Sequence, residues 1–167
     1  MCIRDSYWGK PAAHDVTVRY FPDTISSVNA LQAGGVDVVW GVQNPELLDD
    51  VKDGIATEVG TTNGEVLLSM NNARAPFDDP RVRQAVAYAV DRKAANDILW
   101  NGLAKDTGGA PIPPTDPWFQ GKHYYDYNPD KARQLLEEAG AEGAEITLTT
   151  PTLPYAQTVA ELLYSQL

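Results

Sequence analysis

Phe77–Asp78–Asp79–Pro80–Arg81–Val82–Arg83–Gln84–Ala85–Val86–Ala87–Tyr88–Ala89–Val90–Asp91–Arg92 carries the strongest helical signal in the chain. Asp79 has the side chain of an N-cap, and Pro80 fits the first helical position because its missing N–H has no partner there anyway. Val82, Ala85, Val86, Ala89 and Val90 recur at i, i+3, i+4, i+7 and i+8, so one apolar stripe faces inward. Asp91 is placed to cap a second helix with Ala94, Ala95, Ile98 and Leu99 inward, and Asn101–Gly102 stops it.

Working outward, Asn128–Pro129 opens another helix with Ala132, Leu135, Leu136 and Ala139 on one face and Gly140 at its end. Pro154–Leu167 reads as a helix through Tyr155, Val159, Leu162 and Leu163. Towards the N-terminus, Asp23 caps a short helix carrying Ile25, Val28 and Leu31, and Gly34–Gly35 ends it. Asn44–Pro45 starts another, with Leu47, Leu48 and Val51 inward and Gly54 beyond it. Between helices, period-two or β-branched runs predict strands at 16–20, 36–40, 55–59, 65–70 and 145–150. The 36–40 strand is expected to be buried. Residues 103–127 form a long Pro- and Gly-bearing loop, in which Tyr124, Tyr125 and Tyr127 are expected to wrap over the core. The order β-α-β-α-β-β-α-α-loop-α-β-α is an α/β pattern.

The chain has 167 residues, 43% apolar and 22% charged, which is ordinary globular composition. Its net charge of −10 opposes binding to nucleic acid or to an anionic membrane surface and favours neutral or cationic ligands. Cys2 is the single cysteine, so no internal disulfide forms. His14 and His123 are the only histidines and lack the partners of a zinc site, so no metal and no cofactor is expected. Asp49–Asp50, Asp78–Asp79 and Glu137–Glu138 read as capping or solvated carboxylates rather than acid–base pairs, because adjacent helical residues point in different directions. No Gly-x-Ser-x-Gly elbow, Walker loop or dinucleotide fingerprint is present. With no catalytic constellation, the pattern favours binding over chemistry. Trp40 closes a strand at its carboxyl end, where it would either pack at the end of the sheet or line a pocket, since open α/β sheets place ligands at that edge.

Four ordered segments resemble the extracellular solute-binding proteins of the peptide/nickel type, family 5, of ABC importers. They are Asn71–Asn72–Ala73–Arg74–Ala75–Pro76–Phe77 with the capped helix through Arg92, Tyr127–Asn128–Pro129–Asp130–Lys131–Ala132–Arg133–Gln134–Leu135–Leu136, Ala30–Leu31–Gln32–Ala33–Gly34–Gly35–Val36–Asp37, and Tyr7–Trp8–Gly9–Lys10–Pro11. The resemblance implies an incomplete fragment of a two-lobe, type II periplasmic-binding-protein-like fold. Residues 7–62 would end lobe I, 63–71 would cross between lobes, and 72–167 would begin lobe II. Met1–Ser6 reads as a non-native leader. The implied function is not enzymatic: a peptide or similar small solute is captured between the lobes and delivered to an ABC permease in the membrane. The implied location is the periplasm or the cell surface. The cleft candidates are Trp40, Gly41 and Gln43, in the turn after a strand, and Leu68, Ser69 and Asn71 at the crossing, with a core or hinge role the alternative for each. The competing readings are an α/β hydrolase-type domain, or a chaperone-like or degenerate derivative of the binding fold. Arg81 and Arg83 are expected to reach Asp78 or glutamate side chains.

Overall fold

The computed structural model describes residues 15–42, 44–49, 51–60 and 64–167. They fall into two compact units divided between Trp40 and Gly41. The first unit contains α1 (Thr24–Gln32). Asp23 caps it, its carboxylate accepting from the Ser26 N–H at 2.7 Å. Past its end Gly34 adopts a left-handed φ of 73°. The Gly34 N–H donates to Leu31 O and the Gly35 N–H to Ala30 O, so two carbonyls that the helix leaves open are satisfied. The Arg19 guanidinium donates to Gly35 O at 2.9 Å and ties the preceding segment to this turn.

The second unit holds α2 (Glu46–Asp49), α3 (Pro80–Ala89), α4 (Arg92–Trp100), α5 (Pro129–Ala139) and α6 (Pro154–Gln166). The Asp79, Asp91 and Asn128 side chains cap α3, α4 and α5 as their sequences require. The central packing is α3 against α5, and α4 meets α6 more lightly. Ala85, Ala132 and Leu135 form the buried cluster, with Tyr88, Ala89 and Leu136 around it. Alanines at the contact let the two helix backbones approach closely. The Asn128 N–H donates to Tyr88 O at 2.8 Å, and Arg81 Nη1 donates to Glu138 O at 2.6 Å. The α3–α5 pair is therefore fastened at both ends as well as packed between them.

Three expectations are corrected. Among the described residues no strand ladder forms, and the runs at 16–20, 36–40, 55–59, 65–70 and 145–150 lie outside any regular element. A strand closes none of its own backbone hydrogen bonds, so alternation makes a segment ready to pair but cannot supply the neighbour. The 36–40 run is not buried either: Val38 and Trp40 are exposed, Trp40 at 95%. Finally, Arg81 hydrogen-bonds the Asp79 carboxylate and a backbone carbonyl and feels Glu138 only through its charge, while Arg83 Nη1 donates to Phe77 O and Asp78 O; among the described residues neither hydrogen-bonds the Asp78 carboxylate or a glutamate side chain.

Candidate functional site

The first turn of α3 is tied to the turn that precedes it. The Asp79 carboxylate accepts from the Arg81 N–H and from the Arg81 guanidinium, the closest ion contact being 2.6 Å. The Arg81 side-chain hydrogen bond, then its N–H, hold the Asp79 carboxyl below the usual carboxylate range. Arg83, one turn on, braces the Phe77–Asp78 backbone at 2.6 and 3.2 Å.

The loop 103–127 folds back along α3 and α4, and Arg92 is the reason. Its Nε pairs with Asp106 at 2.8 Å while its Nη2 donates to Tyr125 O at 2.5 Å. Asp106 also accepts from the Gly108 N–H at 2.9 Å, and the Tyr124 N–H donates to Gly108 O at 2.8 Å. One guanidinium thus gathers both ends of the loop. Partial burial pushes the Asp106 carboxyl up, but the hydrogen bonds from Arg92 and Gly108 and the charges of Arg92 and His123 outweigh it, and the net shift is downward. The Tyr125 ring meets the Tyr88 ring edge-on, 5.3 Å between centroids and 86° between planes. The expected wrap of this loop over the core is met by Tyr125, whereas Tyr124 and Tyr127 remain exposed.

A groove of about 440 Å³ results, lined by Met70 and Asn72, by Arg83 and Gln84 of α3, and by Gly109 and Tyr125 of the loop. A larger depression of about 610 Å³ lies between the start of α3 and the end of α5. Its walls are mainly alanine, proline and glycine, and its Asp79 is already spent on the cap and on Arg81. The smaller groove is the better site, because unused donors converge there.

Of the residues expected to line a cleft, Trp40 ends the first unit and Gly41 begins the second, both exposed. Gln43 lies outside the described residues. Leu68, Ser69 and Asn71 share one segment; Leu68 is half-buried and the other two are exposed. The Asn71 side chain accepts from the Ala73 N–H at 3.1 Å, which shapes the turn into α3. The groove is lined instead by their neighbours Met70 and Asn72. Sequence reasoning passed over Arg83, Gln84 and Tyr125 as site residues; the tyrosine cluster and the Arg-Val-Arg-Gln run were the available signals. Among the described residues no group of three or more His, Cys, Asp or Glu side chains could hold a metal ion. No described helix is long and apolar enough to cross a membrane.

Residues 4–167 match the profile of the bacterial extracellular solute-binding proteins, family 5, middle region. The chain belongs to this family. Similar sequences include the heme-binding protein A of Haemophilus influenzae, 34% identical over 143 residues, covering 81% of this chain and 25% of that protein. The glutathione-binding protein GsiB of Escherichia coli K12 is 32% identical over 138 residues, covering 80% of this chain and 27% of GsiB. Among solved structures, the solute-binding protein MoaA from A. tumefacien R10, in complex with mannopinic acid, superposes with a TM-score of 0.71 at 25% identity. That superposition covers 96% of this chain and 33% of MoaA. The chain therefore carries the fold of part of a solute-binding protein, and it spans about a quarter of the length of these curated relatives.

Proposed function

We propose that this chain is a working segment of the substrate-binding component of an ABC importer. In this reading the complete protein has two α/β lobes, captures a peptide or similar small solute between them, and hands it to a membrane permease outside the cytoplasm. It carries out no chemistry. The observation that supports this best is the family match over residues 4–167 together with the MoaA-like fold over 96% of the chain. The relatives are named for heme and glutathione, and the solved neighbour holds mannopinic acid. Solutes that different argue for a common capture mechanism with divergent cleft chemistry, so no one of them is carried over.

Residues 63–71 serve as the interlobe crossing in this reading. Hinges sit at such crossings, and ligands are held where lobes face each other. Trp40, Gly41 and Gln43 and the Leu68, Ser69 and Asn71 segment then border the cleft. An exposed tryptophan suits this role, because a solute would bury it on closure. Affinity reports both the cleft contacts and the closing equilibrium.

The test is to express the full-length protein that carries this segment and identify co-purified small molecules by native mass spectrometry. Tryptophan fluorescence of the stripped protein is then titrated with those molecules. A saturable change is expected, with affinity weakened about tenfold or more in Trp40→Ala, as for loss of a large aromatic contact. Turnover of the bound molecule, or full-length protein that retains and binds no small solute, would overturn the proposal.

A further inference from the structure

The groove between Met70–Asn72, α3 and the 103–127 loop contains hydrogen-bonding capacity that the fold does not use. Arg83 spends Nη1 on Phe77 O and Asp78 O, which leaves the Nε and Nη2 donors without a described partner. The Gln84 and Asn72 side-chain amides likewise make no hydrogen bond among the described residues. All three line the same 440 Å³ space, and Met70, Ala87 and Tyr125 give it an apolar wall. That wall is held in place: Arg92 grips Tyr125 O and the Tyr88 ring backs the Tyr125 ring.

We infer that this groove is a carboxylate-binding subsite, in which Arg83 and Gln84, with Asn72, hold an acid group and its neighbouring amide while Met70, Ala87 and Tyr125 receive an apolar group. This deepens the solute-binding reading above and rests on it. Among the described residues, Arg83 is the only cation in the groove lining and no carboxylate lines it. The nearby Asp79 is paired with Arg81, and Asp78 Oδ1 accepts from the Asp79 N–H. The chain's overall charge of −10 opposes an anion at long range. That field is screened over roughly 10 Å at 0.1 M salt, so at contact the local guanidinium decides.

The experiment uses two probes of nearly the same shape, one ending in a carboxylate and one in a neutral carboxamide, N-acetyl-leucine and N-acetyl-leucinamide. The full-length protein is labelled with ¹³C-methyl methionine, so that the Met70 methyl reports from inside the groove, its signal assigned by Met70→Leu. Wild type should bind the acid about tenfold more tightly than the amide, the scale of a charge-assisted over a neutral hydrogen-bonded contact. Gln84→Glu sets a carboxylate beside Arg83 on an exposed helix position where both residues are good helix formers, so folding is retained. In that variant the preference should collapse to less than twofold. Wild type that does not discriminate, or a Gln84→Glu protein that still prefers the acid tenfold, overturns the subsite. Full-length protein that retains a co-purified solute while ignoring both probes refutes the subsite and leaves solute binding standing. Protein that prefers the acid at Met70 but turns over the molecule it binds refutes the solute-capture reading instead.

Discussion

Leu135→Ala should loosen the α3–α5 pair by an amount that can be worked out from its surroundings. Leu135 is 6% exposed and lies against Ala85, itself 1% exposed, and Ala132. Truncation removes three carbons, and at about 0.8 kcal/mol for each buried methylene the transfer loss is about 2.4 kcal/mol. The cavity adds little here. The surrounding Tyr88, Ala89 and Leu136 are only partly buried and can settle inward, which places the cost near the low end of the ~2–5 kcal/mol range for such truncations. A loss of about 2–3 kcal/mol multiplies the open population of the helix pair by about 30 to 140 at 25 °C, since 1.4 kcal/mol is a factor of ten. Hydrogen exchange followed by mass spectrometry on the full-length protein reads this directly, at the amides of α3 and α5. The comparison is Tyr164→Ala on α6, where the ring is 89% exposed and the change should stay within about 0.5 kcal/mol. Exchange in α3 and α5 that speeds up less than threefold in Leu135→Ala, or no more than in Tyr164→Ala, would refute the packing argument.

Further outcomes follow from the caps, the loop and its acids. Asp79→Ala removes both the N-cap and the acceptor for Arg81, so exchange protection in the first turn of α3 should fall, and Asp79→Asn should recover part of it because its amide oxygen still accepts from the Arg81 N–H. Gly108→Ala should destabilise the loop more than Gly121→Ala. Both glycines have left-handed φ values, 63° and 68°, but a Cβ at Gly108 would lie 2.7–2.8 Å from His123 atoms while one at Gly121 meets nothing within 4 Å. Equal changes in melting temperature would count against this. Arg92→Gln should free both ends of the 103–127 loop together, read as faster proteolysis between Asp106 and Tyr125 with the α3–α5 amides still protected. The lowered pKa of Asp106 gives its pH dependence a definite sign. With the folded-state value below the unfolded one, the unfolded chain binds more protons in between, so the contribution is complete above the ordinary carboxylate range near 4 and is lost as pH falls through the lowered value. Loop protection should therefore drop on acidification below about pH 4, and Asp106→Asn should flatten that dependence. An unchanged pH profile in the variant would dismiss Asp106 as its origin.

The helices of this chain were legible because their signals are local. Asp79–Pro80, Asp91, Asn128–Pro129 and Asp23 each announce a cap within three residues of the N–H they satisfy. The Val82–Ala85–Val86 and Ala132–Leu135 stripes are buried as their spacing requires. Gly34 and Gly140 end their helices in the left-handed region. Family membership was legible for a related reason: the same caps, turns and stripes recur in order along nearly the whole chain. Burial was less legible. Ile98, assigned inward by periodicity, is exposed, because a stripe names a face and not what covers it.

What needed the tertiary structure is everything that rests on a partner distant in sequence. The 16–20, 36–40, 55–59, 65–70 and 145–150 runs have strand-like composition, yet a ladder requires a second strand, and none pairs with them among the described residues. The arginine roles also moved. Arg92 looked like the closing residue of a helix motif and instead gathers both ends of a loop through Asp106 and Tyr125. The groove exists only because that loop returns Tyr125 and Gly109 to α3 beside Met70 and Asn72. A helix closes its hydrogen bonds four residues back and can be read along the chain. A groove, a ladder or a clasp is closed by residues tens of positions apart, and only folding brings them to one place.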